Sequence, residues 1–278
     1  MLQFGMPTLI EITSLEDTMQ LCKELGLDFV ELNMNLPQYQ AEHLADISYL
    51  KSLQEQYGAG YTIHLDENLN VCDFNKAVAD AYTDTVVRAI KAAKAIDAPV
   101  LNMHMNHGVH FTLPDRKVQL FEQYFEDYMS AWEKFRDVCE CEINGADIKI
   151  CMENTDGYRS YEKSAIAFLL QSDVFGLTWD IGHSNAAKNV DEAFILEHRD
   201  RLCHFHIHDS QGKQDHMTLG TGEIDLGQRL SIAEECQCKC VVETKTVAAL
   251  KESVKWIESR RYHHKKAGFY NVNAGTGV

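Results

Sequence analysis

Short runs of β-branched and apolar residues alternate with longer amphipathic segments along most of the chain. Eight runs have the length and composition of buried strands: Leu2–Met6, Phe29–Met34, Tyr61–Leu65, Val100–Met105, Ile148–Asn154, Leu177–His183, Leu202–Asp209 and Lys239–Thr244. Apolar residues at helical spacing predict helices between them, over Leu15–Leu25, Ala41–Tyr57, Lys76–Ile96, Lys117–Cys139, Ser160–Leu170, Asp191–His198 and Val247–Glu258.

Regular alternation of strands and helices predicts a parallel sheet, and eight such units can close into a barrel. The competing open sheet is disfavoured because no G-x-G-x-x-G motif follows the first strand. We therefore predict an α/β protein with one (β/α)8 (TIM) barrel over residues 1–262. Residues 263–278 lack an apolar period and are predicted to be a disordered tail or an appended extension.

The amino-acid composition limits which classes of protein the chain can belong to. Hydrophobic residues make up 45% of the 278 residues, which is enough for a large core and argues against disorder. The sequence has no apolar run of membrane-spanning length, and its first residues do not resemble a secretory signal, so a soluble cytoplasmic protein is expected. The 26 basic and 42 acidic side chains leave a net charge of −16, which disfavours nucleic-acid and membrane partners.

Ionisable side chains recur where the predicted strands end, and this is the edge at which a (β/α)8 barrel assembles its active site. Six consecutive strands, from the third to the eighth, carry such residues: His64, His104, Glu153, Asp180 with His183, His204 with His206 and His208, and Glu243. His216 follows the seventh strand, Lys245 follows the eighth, and Glu31 and Asn33 lie on the second. Glu31 and Asn33, with His107 and His110, are expected at the pocket mouth.

Burying so many ionisable groups together costs several kcal/mol per charge unless an opposite charge neutralises them. Only Lys245 and Lys213 supply nearby positive charge, so a divalent cation is the simplest compensation. Imidazole and carboxylate ligands without thiolate suit zinc, manganese, cobalt or iron. A single histidine on an apolar strand is usually a hydrogen-bonded core residue, and His204 is expected to be one.

Five motifs carry a resemblance to a known family: Ile150–Thr155, Leu177–His183, His206–Ser210, His216–Asp225 and Val241–Thr244. With them the chain resembles the xylose-isomerase-like barrel superfamily over residues 1–260. That superfamily includes sugar and sugar-phosphate isomerases and epimerases, and also endonuclease IV. The combination of Asp-x-Gly-His, His-x-His-Asp and His-x-x-Leu-Gly-x-Gly is fairly specific for the superfamily, but it does not select one member.

The resemblance to ketose epimerases implies one metal ion bound by Glu153, Asp180, His206 and Glu243. It also implies that Glu153 and Glu243 act as acid and base and that His183 touches the substrate. The resemblance to the endonuclease implies further zinc ligands, which match His64, His104, His183 and His216. One departure is Gln214, which stands where the endonuclease pattern has an aspartate, with Asp215 beside it.

These observations predict a metal-dependent isomerase or epimerase of a sugar or sugar phosphate, acting through a metal-stabilised enediolate. Zinc, manganese or cobalt is the expected cofactor, and Lys245, Glu31 and Asn33 are expected to bind substrate. His64, His104, His208 and His216 are assigned to a second metal ion or to the substrate, with a supporting role also open for His208. The alternative is an endonuclease IV-like zinc phosphodiesterase acting on abasic DNA. Keto-acid lyases, a non-catalytic sugar-binding barrel and a homo-oligomer also stay open.

Overall fold

Eight parallel strands form a closed barrel in a computed structural model that describes the backbone of residues 2–271 and the side chains of residues 2–260. The strands are β1 Gln3–Pro7, β2 Phe29–Asn33, β3 Gly60–His64, β4 Val100–His104, β5 Lys149–Glu153, β6 Phe175–Asp180, β7 Leu202–Ile207 and β8 Lys239–Val242. Each strand pairs with its neighbour in chain order, and β1 pairs with β8 to close the sheet. The predicted (β/α)8 barrel is confirmed.

Helices surround the barrel and bury one apolar face each against it. The α-helices are Leu15–Glu24, Ala41–Leu44, Ile47–Tyr57, Lys76–Ala95, Leu120–Gln123, Phe125–Ile143, Ser160–Leu169, Ile181–Ala186, Glu192–Glu197, Leu226–Glu235 and Val247–Asn271. Two short 3-10 helices cover Pro37–Tyr39 and Arg199–Arg201. Side-chain caps begin several helices: Ser14 accepts the backbone N–H of Asp17 at 3.0 Å, for example.

Two β-hairpins lie outside the barrel sheet and were not predicted. The first pairs His110–Thr112 with Lys117–Gln119, and the second pairs Asp209–Gln211 with Gln214–Met217. The predicted helix over Lys117–Cys139 was therefore wrong at its start, because residues 117–119 pair as a strand. The helix Leu226–Glu235 was also missed, although Asp225 caps it by accepting the N–H of Gln228 at 3.0 Å.

The sixth strand is shorter at its carboxyl end than predicted. It ends at Asp180, and His183 lies on the helix Ile181–Ala186 instead of on the strand. The physical reason is a helix cap: the Asp180 carboxylate accepts the backbone N–H of His183 at 2.6 Å and turns the chain into the helix. The change of element lifts the His183 side chain from the sheet to the rim of the barrel.

The chain's last helix extends past the predicted domain boundary at residue 262, since its bounds are Val247–Asn271. Residues 272–278 lie outside the described residues, so the predicted tail over 263–278 stays a prediction. Among the helices of residues 2–271, none combines the length and apolar character that crossing a membrane requires.

A phenylalanine fills the barrel interior between two glycines near the amino ends of the strands. Phe29 pairs in register with Gly5 on one side and with Gly60 on the other, and its side chain is buried. A Cβ atom added at Gly5 would lie 2.4 Å from the Phe29 ring, whereas one at Gly60 would lie 3.9 Å from Phe29 Cβ. The ring thus occupies the space of a side chain at Gly5.

We expect Gly5→Ala to lower the free energy of unfolding by about 1–3 kcal/mol, because the new methyl group must displace the Phe29 ring. Gly60→Ala is the matched control on the other neighbouring strand, and its effect should stay within about 1 kcal/mol. Urea unfolding of both variants measures the difference. Equal destabilisation by the two substitutions would contradict this account of the packing.

Candidate metal centre

Four buried side chains from successive strands converge at the carboxyl end of the barrel. Glu153 and Asp180 are the last residues of β5 and β6, His206 is the last but one of β7, and Glu243 directly follows β8. One ligand atom from each lies within 4.8 Å of the ligand atoms of the other three. We call these four residues the central group. It contains all four residues that the resemblance to ketose epimerases implied as metal ligands.

The three carboxylates of the central group face one nitrogen of the His206 ring. His206 Nδ1 lies 3.1 Å from Glu153 Oε1, 3.0 Å from Glu243 Oε2 and 3.9 Å from Asp180 Oδ2. Glu243 Oε2 is buried, yet it has no hydrogen bond of good geometry within the described part of the chain. Three carboxylates and one imidazole nitrogen, buried and converging, fit a divalent cation of the zinc, manganese or cobalt type.

Asp180 is held in place by hydrogen bonds to residues that come before it and after it in the sequence. Besides capping the following helix, its backbone N–H and C=O each make a 2.9 Å hydrogen bond with the side-chain amide of Asn154. Asn154 is fully buried and directly follows Glu153, so one side chain connects the ends of β5 and β6. No role was predicted for Asn154 from the sequence. The signal that could have indicated one is an amide residue directly after a candidate metal ligand.

His208 supports Asp180 from the opposite side. Its Nδ1 accepts the backbone N–H of His216 at 2.7 Å, so in a neutral ring the proton is on Nε2. Nε2 lies 3.0 Å from the Asp180 carboxylate and donates to it. Both ring nitrogens are hydrogen-bonded in this arrangement, and His208 lies behind Asp180. Its ring also lies with His183 and His216 in a group spaced for a metal ion, so a supporting role and a second metal ion both stay predictions.

A second group lies beside the first and shares Glu153 with it. Glu153 Oε2 lies 2.9 Å from His104 Nε2 and 3.5 Å from His64 Nε2, and it accepts a hydrogen bond from the Asn102 side chain. His64 Nδ1 donates to the Leu65 carbonyl at 2.7 Å, so in the neutral ring the lone pair is on Nε2, which faces the group. These three side chains, His64, His104 and Glu153, are also spaced for a metal ion.

Asp215 connects the two rim histidines, His183 and His216. Its carboxylate lies 3.0 Å from His216 Nδ1 and 3.8 Å from His183 Nε2. These rings reach back to the central group, since His183 Nδ1 is 3.3 Å from Asp180 Oδ2 and His216 Nε2 is 3.5 Å from Glu243 Oε1. Asp215, the residue beside Gln214, thus contacts both rim histidines, and this contact was not predicted from the sequence.

Opposite charges stabilise the ionised forms within the central group. Burial lowers the pKa of His206, but the charges of Glu153, Glu31 and Glu243 outweigh it, and the pKa lies well above the usual range. Burial raises the pKa of Glu153 and of Glu243, but the neighbouring histidines, His206 first among them, hold both values well below the usual range. The carboxylates therefore stay ionised, as metal ligands must.

Two cavities flank the central group. One of about 540 Å³ is lined by Thr155, Asp156, His183, Ala186, Ala187, Lys213 and Asp215. The other, of about 160 Å³, is lined by residues that include Asn33, Glu243 and Lys245. The expected substrate residues Asn33 and Lys245 thus border a cavity next to a candidate ligand. Glu31 does not lie at the pocket mouth, because it is a level deeper on β2 and buried beneath His206.

The glycine-containing turn Gly220–Asp225 has a structural role. The buried Asp209 carboxylate accepts the backbone N–H groups of Gly220 and Gly222 at 2.9 Å and that of Ile224 at 3.3 Å. Glycine-containing turns of this kind can bind a phosphate through their backbone N–H groups. Here these N–H groups are already hydrogen-bonded to Asp209.

His107, expected at the pocket mouth, connects its own loop to the loop residue Asp156 and to Glu162 in the first turn of the helix Ser160–Leu169. Its Nδ1 lies 2.6 Å from the buried Glu162 and its Nε2 lies 2.8 Å from Asp156, which borders the larger cavity. The Glu162 hydrogen bond raises the pKa of His107, although burial opposes it. His110 is exposed on the first hairpin, and His204 is buried as expected.

Comparison with known proteins supports the fold and identifies the family. A sequence model described as xylose isomerase-like TIM barrel matches residues 19–260. The chain belongs to this family. Among curated proteins, an uncharacterised protein of Methanocaldococcus jannaschii is 25% identical over 246 residues, covering 84% of this chain and 80% of its own length.

Solved structures of the xylose isomerase-like fold are also similar. A D-tagatose 3-epimerase-like protein has a TM-score of 0.74 and 23% identity, with 96% of this chain and all of that chain covered. An L-ribulose 3-epimerase has a TM-score of 0.73 and 17% identity, with both chains covered completely. At these identities the similarity establishes the fold.

We expect the protein, purified without chelator, to contain about one divalent ion per chain, because a divalent cation best neutralises the carboxylates of the central group. Glu243→Gln should weaken metal binding at least about 10-fold, since it removes a charged ligand. Elemental mass spectrometry and chelator competition measure both quantities.

The control for this experiment is Glu223→Gln, an exposed rim glutamate bonded to Asn185 and Gly212. It should leave the affinity unchanged. Two ions per chain would show that one of the neighbouring groups, of which His64–His104–Glu153 is one, also binds metal. No ion after metal is added back would contradict the assignment.

The His107 contacts should make stability depend on pH. The pKa of His107 is raised in the folded state, so its contribution is complete below the unfolded pKa of about 6.5 and is lost as pH rises through the folded pKa. The difference in unfolding free energy between the wild type and His107→Gln should therefore be larger at pH 6 than at pH 9. In a Glu162→Gln background this pH dependence should shrink, and an unchanged difference would refute the assignment.

Proposed function

We propose that the protein is a metal-dependent isomerase or epimerase acting on a sugar, with Glu153 and Glu243 as the proton-transferring groups. The observation that carries the proposal is the pair of carboxylate oxygens close to His206 Nδ1, at 3.1 Å for Glu153 and 3.0 Å for Glu243. The similar structures named as sugar epimerases support it, as does the family. Because the identities are low, the geometry carries more weight than the names.

The reaction removes a weakly acidic proton from a carbon beside a carbonyl group. A divalent ion bound by the central group would stabilise the negative charge that develops on the substrate oxygens. Glu153 and Glu243 are both ionised and therefore competent as bases. One carboxylate would take the proton from the substrate, while the other would first take up a proton from solvent and then return that proton to the substrate carbon.

Glu153 and Glu243 differ in burial and in hydrogen-bond partners. Glu153 is deeper, and its Oε2 is bonded by His104 and Asn102, which orients the carboxylate. Glu243 is nearer the surface, and its Oε1 accepts a hydrogen bond from Lys245 Nζ at 3.1 Å. Lys245 is largely exposed and can exchange protons with solvent. We assign solvent proton exchange to the Glu243 side for this reason.

The larger cavity suits a polyhydroxylated substrate. Its lining combines carboxylates, a histidine, a threonine and Lys213, all of which form hydrogen bonds with hydroxyl groups. His183 borders this cavity and lies 3.9 Å from Glu153 Oε1, so it is placed to contact a substrate hydroxyl beside the reacting carbon. These features support a carbohydrate as the small-molecule partner.

A second candidate function is phosphodiester hydrolysis by a multi-zinc site, as in endonuclease IV. The observation that favours it is the His64–His104–Glu153 group, which one-metal epimerisation does not require. The net charge of −16 disfavours DNA as the substrate. Cleavage of abasic-site DNA that depends on two or more zinc ions per chain would support this function over epimerisation.

We expect the metal-loaded protein to incorporate deuterium from D₂O into a ketose at the carbon beside the carbonyl, because the proposed reaction exchanges that proton with solvent. Glu243→Gln, measured at saturating metal, should reduce turnover about 10²–10⁴-fold, the usual contribution of general acid–base catalysis. Nuclear magnetic resonance of a panel of ketoses follows the incorporation.

Glu223→Gln serves again as the control, since this exposed glutamate lies outside the central group and should keep full turnover. Undiminished turnover in Glu243→Gln would refute the assigned role. Absence of exchange with every ketose, despite bound metal, would count against the proposed reaction.

A further inference from the structure

A buried glutamate lies on the side of His206 that faces away from the central group. Glu31 on β2 has 1% of its surface exposed, and its Oε1 lies 2.8 Å from His206 Nε2. The opposite ring nitrogen, Nδ1, is the atom that faces Glu153 and Glu243. Each nitrogen of the His206 ring therefore has its own carboxylate environment, one above it and one below.

The Glu31 carboxylate is itself held in place. Thr62 Oγ1 donates to Glu31 Oε2 at 2.9 Å, and the two residues are register partners on the adjacent strands β2 and β3. His204 Nε2 lies 3.4 Å from the same oxygen. Glu31 thus sits on rigid strands.

A side chain in this place cannot touch a substrate in either cavity. It is buried beneath His206 and reaches the central group only through the imidazole ring. A histidine that binds a metal through one nitrogen keeps a proton on the other, and a carboxylate next to that N–H fixes the ring and makes it a stronger donor. Glu31 Oε1 lies within hydrogen-bond distance of His206 Nε2, at 2.8 Å, although the contact is not aligned as a hydrogen bond in this structure.

We propose that Glu31 is a positioning residue for the metal ligand His206. Its carboxylate keeps the imidazole proton on Nε2, which orients the ring and leaves Nδ1 as the metal-binding nitrogen. This inference rests on the proposed metal centre and replaces the expectation that Glu31 binds substrate. It makes metal affinity, and not only turnover, depend on a residue outside the ligand set.

The experiment measures the dissociation constant of Co²⁺ by chelator competition in Glu31→Gln, Glu31→Leu and Thr62→Val. Glu31→Gln keeps an acceptor oxygen without charge and should weaken binding about 10-fold, whereas Glu31→Leu removes the acceptor and should approach 100-fold. Thr62→Val removes only the support of the carboxylate, so its effect should be smaller than that of Glu31→Gln. The visible spectrum of bound Co²⁺ should change in both Glu31 variants, because the donor strength of the imidazole changes.

Glu162→Gln is the matched control. Glu162 is equally buried and contacts a histidine at 2.6 Å, but that histidine, His107, lies outside the central group. This variant should keep the wild-type Co²⁺ affinity and spectrum even if it lowers the free energy of unfolding.

Three results would overturn the proposal. One is a Co²⁺ affinity within about 2-fold of wild type in Glu31→Gln and Glu31→Leu, with only stability reduced. Another is an equal loss of affinity in Glu162→Gln. The third is a second ion per chain that is lost with Glu31→Gln, which would place a metal between Glu31, His204 and His206, whose ligand atoms also lie within 4.8 Å. Failure of the wild-type protein to bind metal would instead refute the proposed function itself.

Discussion

Neutralising buried negative charge at the open end of the barrel is the constraint on which the site depends. Three carboxylates lie within 4 Å of one imidazole nitrogen. Isolated charges in such a place would cost several kcal/mol each. The protein surrounds each carboxylate with hydrogen-bond donors and histidines, and one cation would complete the arrangement. The other features of this end of the barrel serve to keep those groups ionised and in position.

Rigid elements provide that positioning. Asp180 illustrates the principle, because it ends β6, caps the helix that follows and contributes an oxygen to the central group. Asn154 connects its backbone to the end of β5, and His208 contacts its carboxylate from behind. A ligand fixed by strand, helix and neighbouring side chains needs little rearrangement when it binds a metal ion.

The central group also separates two different environments. On one side Glu243 meets Lys245 and a small cavity, and on the other His183 and Asp215 border a larger one. The proposed reaction needs two proton-transferring groups facing the same substrate carbon, and the asymmetry supplies one buried and one near the surface. The backbone N–H groups of Gly220 and Gly222 are bonded to Asp209 and are therefore not available to a phosphate.

The sequence by itself determined the barrel and the identity of the central group. Buried strands appear as apolar runs, and parallel strands bring their carboxyl ends to one edge, so Glu153, Asp180, His206 and Glu243 were predicted to meet. Their assignment as a single ligand set came from the family resemblance. The short exposed hairpins and the helix after Asp180 escaped prediction, because local caps and pairings decided them.

Only the tertiary structure decided the depth and direction of each side chain. Alternation along a strand tells which face a residue occupies, but its level along the barrel axis depends on the stagger between strands. Glu31 therefore looked like a residue of the pocket mouth and proved to lie beneath His206. Contacts between strands and loops far apart in sequence decide which ring nitrogen faces which oxygen. They also bring Asp215 next to both His183 and His216.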